Sequence, residues 1–291
     1  MTDLKRHPAI AVVLMLILML SCGDTGVTPR DEPTNEDAIY NIIRYDRPSE
    51  FKIDLLDFSV PETSLVQAGP IVPAYYWLNL DGDSLFIAID INYPQPGDPI
   101  GINATAEVRL LKHFFGTFEV IGVDTSGGNQ TPVRMSKEFT ILGVIEADFE
   151  KFGADYNTRR GWLLTEISDA VYIGNISGPQ GAIGSITISS ISNPDHIIDT
   201  DIKPLSDVLR FSPGESLTVS ITAADTGDFI SLRYRSGSDF RSIPITPNSE
   251  GEYIAGFRVS GSEGYDHFLI KAINNDAVTD TASFQHKAIG V

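Results

Sequence analysis

The residues in this chain best suited to chemistry are carboxylates. Glu146 and Asp148 stand two apart in "GVIEADFEKF". On a strand that spacing puts both on one face, about 7 Å apart at ~3.3 Å per residue. Such a pair can work as acid and base, or offer oxygens to Ca²⁺, or be a solvated strand face. Asp195, Asp199 and Asp201 lie in "SNPDHIIDTDIKP" and are weak Ca²⁺ candidates, since hard cations draw oxygen ligands from loops. Their spacing does not match an EF-hand loop. Asp81-Gly82-Asp83 reads first as a turn and only second as a metal loop. Ser49 to Lys52, "SEFK", fits the Ser-x-x-Lys nucleophile pattern, but the two companion motifs of that chemistry are missing. There is no Gly-x-Ser-x-Gly, no His-Glu-x-x-His and no Walker loop. His113, His196, His267 and His286 are isolated, with no second histidine at ligand spacing. The glycines of "GPQGAIG" (Gly178 to Gly184) have no helix after them to cradle a phosphate, so a turn is expected. No catalytic residue, metal ligand set or cofactor is therefore expected.

The single cysteine has a position that explains it. Lys5 and Arg6 precede Ala9–Leu20, twelve apolar residues, and the run ends at Met19-Leu20-Ser21-Cys22. Twelve residues is short for a membrane span, which needs about 20. The stretch resembles the lipobox signal of bacterial lipoproteins, with Met19 where Leu is usual. The resemblance implies that residues 1–21 are a signal peptide removed by cleavage. Cys22 would then carry acyl chains, palmitate among them, and hold the protein in the membrane by lipid. Each buried CH₂ adds about 0.8 kcal/mol, and stable anchoring needs more than one chain. Gly23 follows the cysteine, rather than the Asp that retains many lipoproteins in an inner membrane. The expected location is the extracytoplasmic cell envelope, on the outer membrane if there is one. No other cysteine remains for a disulfide or a thiolate metal site.

The net charge of −18 argues against nucleic acid as a partner, because phosphate binding needs clustered Lys and Arg. It also disfavours docking on anionic lipid. At 42% apolar residues the body has enough to form a packed core.

The elements that must position any site are mostly strands. Residues 22–37 are polar and proline-containing, a flexible tether. Thr34 to Tyr45 reads as a short helix. Thr34 can cap it, Glu36 and Asp37 suit its first turn, Ile39, Ile42 and Ile43 share a face, and Pro48 stops it. "DGDSLFIAIDINYP" alternates, with Leu85, Ile87, Ile89, Ile91 and Tyr93 on one side. "TAEVRLLKHFFGTFEVIGV" is a second long strand region with a bulge or bend at Gly116. A loop at Ser126–Asn129 precedes "KEFTILGVIEADFEKF", where Phe139, Ile141, Gly143 and Ile145 alternate with the rest. "RRGWLLTEIS" and "GAIGSITISSIS" add two strands. Of the aromatics Tyr75, Tyr76 and Trp77, at least one should be exposed, since neighbours on a strand face opposite ways. Trp77 and Trp162 are expected in the core.

The fold class expected is mainly β. Residues 38–196 form an N-terminal antiparallel sheet domain with a short helix, 197–204 a linker, and 205–291 a second domain. In that second domain strands are expected at Val208–Phe211, Ser216–Ala223, Phe229–Arg235, Phe240–Ile245, Glu252–Val259, His267–Ile273 and Thr279–Lys287. It resembles bacterial immunoglobulin/fibronectin-like modules. The resemblance is carried by Asp225-Thr226-Gly227, Tyr234-Arg235, Phe240, Ile243 to Ile245, Gly251-Glu252-Tyr253 and the run from Phe268 to Asn274. It implies a C-terminal immunoglobulin-like β-sandwich, with Tyr265 a candidate tyrosine corner. Such modules serve as spacers, binders and enzyme accessories alike.

The expected function is that of a lipid-anchored, non-enzymatic envelope protein, a binding or spacer module for a protein or glycan ligand. The alternatives are an accessory subunit of an envelope complex and a carboxylate-dependent hydrolase of the N-terminal domain. An exposed apolar or aromatic patch would favour a binder or subunit.

Overall fold

The computed structural model describes residues 32–55, 71–174, 183–191, 196–198, 202–205, 211–223, 229–236, 239–259, 268–273 and 286–290. Cys22, the expected lipid attachment point, and the Ca²⁺ candidates Asp195, Asp199 and Asp201 lie outside the described residues, as does Tyr265. Among the described residues the protein is mainly β, with one short α-helix and antiparallel open sheets.

Helix α1 spans Asn35–Asn41 and continues as a π-type turn, Ile42–Asp46. Thr34 caps it as expected: its hydroxyl accepts from the Asp37 N–H, and the Asp37 carboxylate accepts from the Thr34 N–H in return. Ile39, Ile42 and Ile43 are buried on the face their spacing predicts.

Three long strands follow: β1 (Ile71–Asn92), β2 (Thr105–Asp124) and β3 (Thr131–Lys151). Asp81-Gly82 does not turn the chain. β1 runs straight through it, with register shifts between Pro73 and Tyr75 and between Leu80 and Gly82. The physical reason lies opposite, in β2. A Cβ at Gly116 would stand 2.0 Å from the Asn79 carbonyl oxygen, so only glycine lets the two backbones approach there. The Phe115 ring covers Gly82, where a Cβ would meet Phe115 Cζ at 2.7 Å. A covered glycine inside a bulge keeps the ladder going. The irregularity expected at Gly116 therefore falls on its partner strand.

Strands β4 (Trp162–Ile167) and β5 (Ala170–Gly174) pair with β3. The remaining strands are β6 (Ile183–Ser189), β7 (His196–Ile198), β8 (Lys203–Pro204), β9 (Ser216–Ala223), β10 (Phe229–Ser236), β11 (Asp239–Ile245), β12 (Glu252–Arg258), β13 (Phe268–Ile273) and β14 (His286–Gly290). Their arrangement crosses the expected 197–204 linker in both directions. β14 pairs with β5, so one ten-stranded sheet runs β1-β2-β3-β5-β14-β13-β10-β11, with β4 beside β3 and β8 beside β4. β6, read as part of the N-terminal region, pairs with β9, giving a second sheet in the order β12-β9-β6-β7.

Directly opposed residues share a face, so the two faces of the large sheet can be followed across it. The inner face carries Leu110, Phe118, Ile141, Ile145 and Tyr172, packed with α1, Phe51, Ile53 and Leu55. The same face continues to Leu269 and Lys271 of β13 and Arg233 of β10. Lys271 Nζ lies 4.7 Å from the ring centroid of Tyr76 in β1. In a flat sheet β1 and β13 would be about 24 Å apart, at ~4.8 Å per strand. The contact requires the sheet to curl, inner face concave and outer face convex. The outer face carries Ile230, Leu232, Phe268 and Ile270, which share one core with Val219, Ile221, Tyr253 and Phe257 of the second sheet.

Candidate functional site

The outer face of β1–β3 is the part of the large sheet that the described residues leave open. Phe86 opposes Leu111, Leu111 opposes Val144, and the rung ends on Val171 of β5. The next rungs are Ser84–His113–Leu142 and Gly82–Phe115–Thr140. Phe86 is 60% exposed and Phe115 45%, while Leu111, Leu142 and Val144 are half-buried. Further along the same face Tyr75 and Ile121 are exposed, and Trp77 is half-buried beneath the Arg134 guanidinium, 5.9 Å from its ring. So the aromatic triplet divides as expected: Tyr76 points in, Tyr75 out. Trp162 is fully buried, but Trp77 is not.

In the other direction the apolar rungs give way to charge. Past the Arg109–Glu146 ion pair lies a row of four carboxylates on four adjacent strands, Asp90, Glu107, Asp148 and Glu166, each directly opposite the next. Like charges in directly opposed positions destabilise a sheet. Burial, and then Glu166, Glu107 and Glu146, push the Asp148 carboxyl above the usual carboxylate range. Of the pair singled out in the sequence, Glu146 is taken by Arg109 and Asp148 belongs to the row. The side chains of a row stand parallel on a convex face and do not converge. Among the described residues no three His, Cys, Asp or Glu are grouped to hold a metal ion. Asp83 pairs with Lys112 at 3.2 Å, and Lys52 of "SEFK" pairs with Asp54 at 3.1 Å, giving neither a role in chemistry. His113 is exposed on the outer face, and the side chains of the other histidines lie outside the described residues.

A second polar constellation fixes α1 to the sheet. Asn35 Oδ1 accepts from Lys151 Nζ, Arg160 Nε and Trp162 Nε1, each at 3.1 Å, while its Nδ2 donates to the Tyr93 hydroxyl at 2.8 Å. Arg159 grips Asp46 through two hydrogen bonds of 2.6 and 2.7 Å and also contacts Glu32. Arg159 and Arg160 hold φ of 53° and 51°, a left-handed conformation that costs a non-glycine residue about 1–3 kcal/mol. The segment expected to be all strand thus opens with a strained turn. The many bonds it makes with Glu32, Asn35, Asp46 and Asp155 account for it as a clamp.

Sequence reasoning missed Phe86, Leu111, Phe115, Leu142 and Val144. A signal was present: "LFIAI" and "TILGVI" are nearly continuous apolar runs, and the pairs Leu110-Leu111 and Phe114-Phe115 put apolar side chains on both faces of β2. A sheet buried on one face needs only alternation, and continuous runs belong to strands covered on both. No protein-family model, curated protein or solved structure matches the chain.

Proposed function

We propose that this chain is a lipid-anchored, non-enzymatic protein of the cell envelope that binds a partner through the outer face of β1–β3. The observation that carries the reading is the exposure of Phe86 and Phe115 amid the half-buried Leu111, Leu142 and Val144. Contiguous exposed apolar surface marks interaction sites. The carboxylates stand in a row along a convex face rather than converging in a cleft, an arrangement that favours contact over catalysis, since catalytic groups work from clefts. The anchor rests on the Met19–Cys22 signal and the tether after it. The immunoglobulin-like reading of the C-terminal part draws support from the single core enclosed between β10, β11 and β13 and the second sheet.

The anchor is tested by Cys22→Ser in cells fed a labelled fatty acid. The wild type should take up label and sediment with membranes, whereas the variant should remain an unlabelled precursor. A variant that matures to wild-type size and stays membrane-bound overturns the anchor.

A further inference from the structure

We infer that the outer face of β1–β3 docks a protein whose contact surface is apolar at its centre and carries Lys or Arg side chains along one side, set to meet Asp90, Glu107, Asp148 and Glu166. The inference rests on the binding role proposed above and adds the chemistry of the partner.

Three features of the face favour that occupant. Its size is adequate. From Tyr75 to Asp90, across three to four strands, it measures roughly 50 Å by 15 Å at the usual rise and spacing, close to the ~800 Å² per partner of a standard interface. Its charge is one-sided. The four carboxylates oppose one another rung by rung, and Arg109, the cation on the adjacent rung, is engaged by Glu146. Cationic side chains from outside would neutralise the row and remove its mutual repulsion. Burial first, and then the neighbouring Glu166, Glu107 and Glu146, raise the proton affinity of Asp148. The adjoining apolar rungs then supply the dry centre that interfaces need, with the charges as rim.

The competing occupants fit less well. A second copy would bring another chain of net charge −18 with the same acidic row. A single metal ion cannot be ringed by carboxylates spaced ~4.8 Å apart along a line. A glycan would use the rings of Tyr75 and Phe86 but leave the carboxylates uncompensated.

The test places the photo-cross-linker p-benzoylphenylalanine at position 86 of the full-length protein in its own cells. The control is the same cross-linker at Tyr156, an exposed residue of the loop between β3 and β4. Irradiation should give an adduct with a different protein at position 86 and not at 156, and the cross-linked segment should hold apolar residues beside Lys or Arg. Adding Asp90→Lys and Glu107→Lys, both on exposed residues, should cut the adduct at least tenfold. Glu36→Lys, at an exposed position of helix α1, should not. Unchanged thermal melting of the double variant would show that it still folds; if it melts early, Asp90→Asn with Glu107→Gln replaces it and should cut the adduct severalfold. An adduct indifferent to these changes, or with a second copy only, overturns the inference while leaving a binding role standing. No protein adduct at all, with or without glycan attached, overturns both. Membrane fractionation of the same cells reports the anchor independently.

Discussion

In β1–β3 the buried side chains, Glu119 apart, lie on the inner face, whereas β10 and β13, in the same ladder, are buried on both faces. Ile230, Leu232, Phe268 and Ile270 point outward into the core shared with the second sheet. Ser231, Arg233, Leu269 and Lys271 point inward and are buried too, Arg233 at 3% exposure and Lys271 at 1%. At β10 and β13 polar residues thus face the inside of the curled sheet, while at β1 and β2 apolar residues such as Phe86 and Phe115 stand outside it. Position within a curved sheet, and not alternation alone, decides which side of a strand meets water. A polar side chain facing inward is retained where an aromatic ring or a hydrogen bond receives it, as Tyr76 receives Lys271.

The contact that turns one region into the other is the most costly to lose. Tyr76→Ala removes a ring that is 2% exposed, packs on Phe118 at 6.0 Å between centroids and covers Lys271. It is expected to destabilise the fold by about 3–5 kcal/mol in urea unfolding. Phe86→Ser, on the same strand but the outer face, should change stability by no more than about 0.5 kcal/mol. Equal effects would show that the two faces are not distinguished as described.

Asn35→Ala should come next. It strips the shared acceptor from Lys151, Arg160 and Trp162, leaving a buried indole N–H without that partner, at a cost of about 1–3 kcal/mol. The loss should be accompanied by faster hydrogen exchange in α1 and no change in β9 and β12.

The smallest effect is a difference in pH dependence between two carboxylates of the outer face. Asp148 is pushed up by burial and by its acidic neighbours. The folded state therefore holds that proton more tightly than the unfolded chain. Ionising Asp148 costs stability as pH rises through its folded value, and the cost is relieved as pH falls back through it. Glu119 has the opposite sign. The Arg134 guanidinium, helped by the Ser136 hydroxyl, holds its carboxyl below the usual range against the opposing effect of burial. Its stabilisation is present above the ordinary glutamate range and is lost as pH falls through the lowered value. Unfolding curves from about pH 3 to 7 should show Asp148→Asn flattening the profile above the ordinary carboxylate range and Glu119→Gln flattening it below. Identical profiles for the two variants would remove the difference claimed between them.

Much of the fold could be read locally. The Thr34–Asp37 cap, the buried face of α1, the alternation of Phe139, Ile141, Gly143 and Ile145, and the span of β9 all follow from short-range rules of capping and period. The failures were of two kinds. Asp81-Gly82 carries turn chemistry, but a bulge and the covering Phe115 ring override it, and that ring lies more than thirty residues along the chain. The left-handed Arg159-Arg160 turn has no local signature, because partners distant in sequence, Glu32, Asn35 and Asp46, stabilise it. The candidate face was half visible. Its apolar runs were in plain view and its carboxylate Asp148 was singled out. The row needed strand register, which sets Asp90, Glu107, Asp148 and Glu166 on one line from four separate strands.

By itself the sequence determined the elements: where strands run, which of their faces is apolar, where the helix begins, and a strongly acidic composition. Those properties depend on residues a few positions apart. Only the tertiary structure decided that β5 and β14 join two regions into one sheet, that the sheet curls until Tyr76 meets Lys271, and that its outer face on β1–β3 is left apolar, acidic and open. Those depend on pairing between segments more than a hundred residues apart, which no local period encodes.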